Sequence, residues 1–233
     1  MIMDEAEFDI FADEYHSLHA SNIAISGEGP EFFAEYKIKD IATEYLALHP
    51  YPAPLRMLDF GAGVGASVPF IRRHLPHAHL TCLDVSAKSL DVARSRFPGQ
   101  AEFVRFDGTR IPMPDGSFDI VFAACVFHHI ALDEHVALLR EFFRVLAVGG
   151  MACVFEHNPL NPLTVHAVDT CPFDENAHLI RAKAMRRRFS EAGFTGRTRY
   201  RIFFPGMLGF LRPLEWLMTW LPLGAQYYIV ASR

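Results

Sequence analysis

An apolar run, Leu55 to Phe60, breaks at once into three glycines at alternate positions, Gly61, Gly63 and Gly65, and a helix-like pattern follows over Ala66–His74. Few folds accept that order. A short apolar run bounded by a turn signal reads as a buried strand. Glycine supplies the positive φ of a tight turn and lets a ligand approach bare backbone, and a helix start behind it offers free N–H groups. Strand, glycine turn and helix together make the ligand-binding corner of an open α/β sheet.

The acid before the first glycine narrows the ligand. Dinucleotide fingerprints read G-x-G-x-x-G and cradle a pyrophosphate, but here the spacing is G-x-G-x-G and Asp59 would repel a phosphate anion. A cation is attracted instead, and S-adenosylmethionine carries a sulfonium and an ammonium and no phosphate. The next apolar run, His79–Leu83, ends in Asp84, where a carboxylate accepts hydrogen bonds from ribose hydroxyls. A third, Phe103–Phe106, ends in Asp107-Gly108, an acid for an adenine amine beside a glycine that lets a base lie close. Each aspartate alone also reads as the cap of a strand-to-helix turn. Three acids at three successive strand ends favour a ligand.

With these residues the chain resembles the class I S-adenosylmethionine-dependent methyltransferases, in particular the ubiquinone/menaquinone-biosynthesis type and small-molecule O-methyltransferases. The matching segments are LDFGAGVG (58–65), LDVSAKSLDVAR (83–94), FVRFDGTRIPMPDGSFDIVFAACVFHHI (103–130) and LLREFFRVLAVGGMACVFEH (138–157), in the family's order over about half the chain. Ala147-Val148 stands where the family usually has Lys-Pro or Arg-Pro before the glycine pair. The resemblance implies a Rossmann-like, seven-stranded, mostly parallel sheet with helices on both faces, its last strand antiparallel, and an N-terminal helical lid. It implies S-adenosyl-L-methionine as cofactor, held by Asp59, Phe60, Gly61, Ala62, Gly63, Asp84, Val85, Asp107, Gly108 and Cys125.

Periodicity supports that architecture. Strands near 55–60, 79–84, 102–106, 118–124 and 151–156 alternate with helices near 66–74, 86–96 and 134–146, the pattern of a parallel, doubly wound sheet. Beyond them come a helix over Ile180–Ala192, ended by Gly193, and strands over Thr195–Phe204 and Gln226–Ala231. The length of 233 residues suits one domain, 1–233. It divides into a helical lid (1–50), a cofactor-binding core (51–157) and an acceptor-side part (158–233). The lid reads as two aromatic-rich helices, Ala6–His19 and Glu31–Leu48, which either exclude water from the reaction or pad the sheet. Residues 158–180, with Pro159, Pro162 and Pro172, read as an irregular insert. The apolar segment Phe203–Leu223 reads as a helix with one thin polar stripe, Arg212, Glu215 and Thr219. It serves as core or a homodimer contact, as the wall of an apolar acceptor pocket, or as a membrane-resting face. Three prolines and two charges exclude a transmembrane span there.

Charge and composition exclude other classes. A net charge of −5 offers no basic surface for nucleic acid, and the run Arg181–Arg188 is the solvated face of a helix. The four cysteines show no C-x-x-C spacing, which argues against a zinc cluster or disulfides and for a reducing, cytoplasmic setting. Residues 1–9 are acidic and unlike a signal peptide. His128, His157, His166, His178, Asp169 and Glu175 offer no pair at a ligand spacing, so no metal is expected.

The remaining candidates at the carboxyl ends of the strands are Cys125, His128, His129, Glu156 and His157. Transfer from an activated sulfonium needs chiefly an in-line arrangement, and a base only for a poor nucleophile such as a hydroxyl. His128 follows the fourth strand and Glu156 ends the fifth, so the pair can take a hydroxyl proton, as in the sugar O-methyltransferases that the chain resembles; His129 is its neighbour. The expected acceptor is a small molecule, apolar, aromatic or glycosylated. Two other readings stand: a cofactor-binding module without turnover, and a nicotinamide oxidoreductase, disfavoured by Asp59 and Asp107-Gly108.

Overall fold

The central strands are apolar along their whole length because both faces of the sheet are covered, the rule for parallel strands. In the computed structural model, which describes residues 23, 26–49, 54–171, 174 and 176–233, the chain runs α1 (Pro30–Leu48), β1 (Leu55–Phe60), α2 (Val68–His74), β2 (Ala78–Asp84), α3 (Ala87–Arg96), β3 (Glu102–Arg105) and β4 (Phe118–Ala124). It continues through α4 (His135–Val145), β5 (Leu146–His157), α5 (Pro162–Asp169), α6 (Ala182–Glu191), β6 (Thr195–Arg201), α7 (Glu215–Met218) and β7 (Gln226–Ser232). The sheet order is β3-β2-β1-β4-β5-β7-β6. β1 to β5 pair in parallel, and β7 is antiparallel to both of its neighbours. The strand order reverses between β1 and β4, the place where open α/β sheets bind ligands.

Alternation along the strands sorts the core into two layers. Leu58, Phe60, Val121, Ala152 and Val154 face a layer closed by Leu139 and Phe142 of α4 and Met185 and Phe189 of α6. Met57, Ile120, Phe122, Cys153 and Phe155 face the other layer, closed by Ile38 and Ile41 of α1 and Val68 and Ile71 of α2. The α1 helix is pinned to the antiparallel edge by the Asp40–Arg201 ion pair at 2.7 Å and by the Tyr228 hydroxyl, which donates to Glu44 at 3.0 Å. It therefore pads the sheet with its later turns, while Phe33, Ala34 and Lys37 reach the cavity over the sheet. The other expected lid helix, Ala6–His19, lies outside the described residues.

Three expectations change. The 158–180 segment is not wholly irregular, because it contains α5. Pro162 begins that helix, where an N–H would have no intrahelical partner anyway, and the Asn161 side chain accepts from the Leu163 and Thr164 amides at 3.1 Å. β5 starts at Leu146, earlier than its apolar run, because Leu146 pairs with Phe118 across a register shift. The 203–223 segment is not core. It forms a 3-10 helix, Gly206–Leu214, and then α7, with Met207 89%, Phe210 76% and Trp216 and Trp220 each 70% exposed. Its supposed stripe residue Glu215 is the buried one, accepting from the Phe203 and Phe204 amides at 2.9 and 3.0 Å. Among the described residues no helix is long and apolar enough to cross a membrane.

Phe142 anchors the first layer, edge-on to Phe60 at 4.9 Å and to Phe127 at 5.8 Å. Phe142→Ala should lower stability by about 3–5 kcal/mol, the cost of an aromatic-sized core cavity. A denaturant midpoint equivalent to a loss under about 1 kcal/mol would show that this layer collapses around the gap.

Candidate active site

The glycine turn after β1 is held by the Gly61 and Ala62 amides, which donate to the Leu83 carbonyl at 2.8 and 3.1 Å. Gly61 has φ +72°, and a Cβ there would lie 2.5 Å from Val126, so only glycine fits. Gly63 has φ +51° with open space where a Cβ would be, so its backbone is bare toward the cavity. Its amide donates to Asp84 Oδ2 at 2.7 Å, and the other Asp84 oxygen accepts from the Ser86 amide at 2.9 Å. Asp84 is thus both turn cap and cavity wall.

A cavity of about 450 Å³, of ordinary ligand-pocket size, opens over these strand ends. Asp59, Gly61, Ala62, Gly63, Asp84, Cys125, His128 and His129 all line it. Asp59 is buried beneath the turn and accepts from the Ser67 hydroxyl. Burial pushes its carboxyl up to about 7 against the pull of the Ser67 bond, with the nearby Asp84 charge adding to the rise. An added cation would favour its ionised form.

Four expected cofactor residues stand elsewhere. The Phe60 and Val85 side chains turn into the core, Phe60 packing on Phe106 at 5.2 Å. Asp107 is exposed and neither it nor Gly108 lines the cavity. Its Oδ1 accepts from the Thr109 and Arg110 amides at 2.8 and 3.1 Å, the turn-capping role that an aspartate after a strand also fits.

On the other side of the cavity, β4 is followed by Cys125, a non-glycine residue at φ +60° whose amide donates to the Phe155 carbonyl at 2.8 Å. Its Sγ lies 3.5 Å from Lys37 Nζ. Burial pushes the thiol up, but the Lys37 and His157 charges outweigh it and bring it down to about 7. A one-turn 3-10 helix, Phe127–His129, follows. Glu156, fully buried at the end of β5, accepts from the Val126 and Phe127 amides at 3.2 and 2.8 Å through Oε1. Its Oε2 lies 2.6 Å from His128 Nδ1. His128 Nε2 and His129 Nε2 lie 3.5 and 3.4 Å from Asp174 Oδ1. Burial disfavours a charged His128 ring, but Glu156 and Asp174 outweigh it and raise its pKa. Burial and the neighbouring His128 charge push His129 down to about 3.

The structure therefore brings His128, His129 and Glu156 together as the topology suggested. It adds Lys37, Ser67 and Asp174, which no motif announced. His166, Asp169 and His178 are exposed and do not line the cavity; Glu175 is outside the described residues. The three ligand atoms of His128, His129 and Asp174 lie within 4.8 Å of one another.

Residues 58–154 match the family described as Methyltransferase domain. The demethylmenaquinone methyltransferase of Thermus thermophilus is 34% identical over 110 residues, 46% of this chain and 49% of that protein. The trans-aconitate 2-methyltransferase of Methylobacterium radiotolerans is 35% identical over 113 residues, 48% and 42% of the two chains. The chain spans about half the length of the curated relatives that it matches. Among solved structures, a SAM-dependent methyltransferase from Thermotoga maritima superposes with a TM-score of 0.64 over 97% of this chain and 98% of the other, at 18% identity, which speaks for the fold. Domain match, glycine turn and sheet order agree: residues 58–154 carry a methyltransferase domain, within a sheet of the same fold as the Thermotoga maritima enzyme.

Proposed function

We propose that this protein transfers a methyl group from S-adenosylmethionine to a hydroxyl oxygen of a small-molecule acceptor. One observation carries the reading: a single cavity joins the bare glycine turn and its two buried acids to a histidine backed by a buried carboxylate. When bound, S-adenosylmethionine supplies a methyl group on a positively charged sulfur and is left as a neutral thioether. The chain's own part is recognition and proton handling. Gly61–Gly63 offer backbone without side chains in the way, and Asp84 accepts from ribose hydroxyls. Asp59 compensates the cofactor's cationic end. His128, whose ring Glu156 orients through Nδ1, takes the acceptor's proton on Nε2 in its neutral form, which its raised pKa of about 10 makes the minor form near neutral pH. Names of relatives such as demethylmenaquinone and trans-aconitate methyltransferase support a small, partly apolar acceptor over a macromolecule. The apolar cavity wall, with Phe33, Phe70 and Phe203, fits the same class.

Cofactor affinity should depend on pH through Asp59. Its folded carboxyl is raised to about 7, so below that pH binding of a cation must first expel a proton. Affinity for S-adenosylmethionine should therefore fall with acidity, by at most about tenfold per pH unit below 7, and level off above it. Calorimetric titration between pH 5.5 and about 8.5 measures this; Asp59→Asn should bind more weakly and lose the slope. A slope retained in Asp59→Asn would take Asp59 out of this role.

His128→Ala should leave cofactor affinity nearly unchanged and cut turnover on a hydroxyl acceptor by about 10²-fold or more, the size of a general-base contribution. Turnover within about threefold of the parent would remove the base assignment. Asp84→Ala should lose cofactor binding itself, and unchanged affinity would take Asp84 out of the ribose-binding role.

A further inference from the structure

We propose that His128, His129 and Asp174 form a binding site for one divalent zinc-class ion at the acceptor end of the cavity. The ligand atoms are His128 Nε2, His129 Nε2 and Asp174 Oδ1, with the two nitrogens 3.5 and 3.4 Å from the shared oxygen. Asp174 Oδ1 pairs with both rings at the long end of hydrogen-bond range, so one carboxylate oxygen faces two imidazole nitrogens. Two ligand atoms that each sit about 2.0–2.1 Å from a tetrahedral ion are about 3.3–3.4 Å apart, so the oxygen already stands from each nitrogen at roughly the edge of such a site.

The surroundings are those of a ligand set. Glu156 engages His128 Nδ1 at 2.6 Å and so turns Nε2 toward the cluster, the carboxylate–histidine arrangement that orients metal-ligating imidazoles. Glu156 is itself fixed by the two backbone amides at 126 and 127. Asp174 is held in place because the His178 amide donates to the His128 carbonyl at 2.7 Å and the Asp174 amide to Cys171 at 3.1 Å. His128 and Asp174 are buried, with side chains 1% and 7% exposed, and a dication between them would offset two buried carboxylate charges, Asp174 and Glu156. Two imidazoles and one carboxylate suit zinc rather than magnesium, which prefers oxygen ligands and keeps its waters. Three protein ligands leave a fourth position, and all three residues line the cavity.

The role of the ion rests on the methyl-transfer reading, whereas its binding does not. An acceptor hydroxyl at the open position would lose its proton more readily, the proton passing to solvent, with no electron gained or lost. An ion on Nε2 takes the place that a proton would occupy, so it and His128 acting as a base are alternative ways of activating the same oxygen.

The test uses the full chain, stripped with a chelator and titrated with Zn²⁺ against a chromophoric chelator, with Co²⁺ as a spectroscopic probe. The expected result is one tightly bound Zn²⁺ and the intense visible bands of four-coordinate Co²⁺. His129→Ala and Asp174→Asn should each weaken zinc binding by at least about 100-fold, and Glu156→Gln by about 10–100-fold, as an outer-shell partner does. Circular dichroism identifies a variant that fails to fold, in which case His129→Gln replaces it. Zinc that is not bound stoichiometrically, Co²⁺ without those bands, or variants that hold zinc as tightly as the parent would each overturn the site. S-adenosylmethionine is titrated in parallel without metal. Its failure to bind would overturn the methyl-transfer reading and leave the zinc result standing, and the reverse pattern would overturn only the metal.

Discussion

The Glu156 carboxylate is the interaction on which the turn after β4 and the His128 ring both depend. It is a fully buried charge at the end of β5, and its two oxygens divide the work. One closes the turn after β4 by accepting two backbone amides; the other fixes the His128 ring. A buried charge survives only when its lone pairs are used, and here they are. Removing it would leave two amides and an imidazole without their acceptor, so the same carboxylate that raises the His128 pKa also makes the 3-10 turn possible. Stability and reactivity at this corner are one property. That is why a glutamine, which keeps an acceptor oxygen without the charge, is the informative change.

Much of this frame was legible in residues, for reasons that can be named. β1 and β4 fall where their apolar runs fall because parallel strands are covered on both faces and have no polar side to blur the signal. The Gly61 turn was legible because a side chain there would meet Val126, so one residue type fits. Glu156 could be placed near His128 because β4 and β5 are neighbours and both motifs sit at strand ends. Asp107 carries a signal with two meanings: an aspartate after a strand caps the following turn whether or not a ligand lies near, and its side chain looks the same in sequence either way.

What stayed illegible shares one cause, which is contact between residues far apart in the chain. Asp174 meets His128 across 46 positions of chain, where the His178 amide also donates to the His128 carbonyl. Lys37 meets Cys125 only because α1 lies across the sheet. The 203–223 segment shows the same limit in hydropathy. Its apolar side chains stay largely exposed among the described residues, and the one side chain that folds inward is Glu215, which caps the backbone at 203 and 204. Composition marked the segment as unusual and gave its sidedness backwards.

The division between local and distant contacts also explains where similarity to other proteins lies. The cofactor half is built from consecutive elements, β1 to β5, and the family match covers 58–154. The rest of the cavity takes Lys37 from α1, Asp174 from after α5, Phe203 from just beyond β6 and Gln226 from β7, all outside that span. Glu156, two residues beyond the match, is the joint between them, because it holds the turn that ends the shared half and the ring that faces the other. Under the proposed methyl transfer, a change of acceptor would fall on residues such as 37, 174 and 203 while the glycine turn, Asp59 and Asp84 stay as they are. Relatives alike over the shared half are then expected to differ in what they methylate, as the curated names quinone and aconitate already do at similar identity.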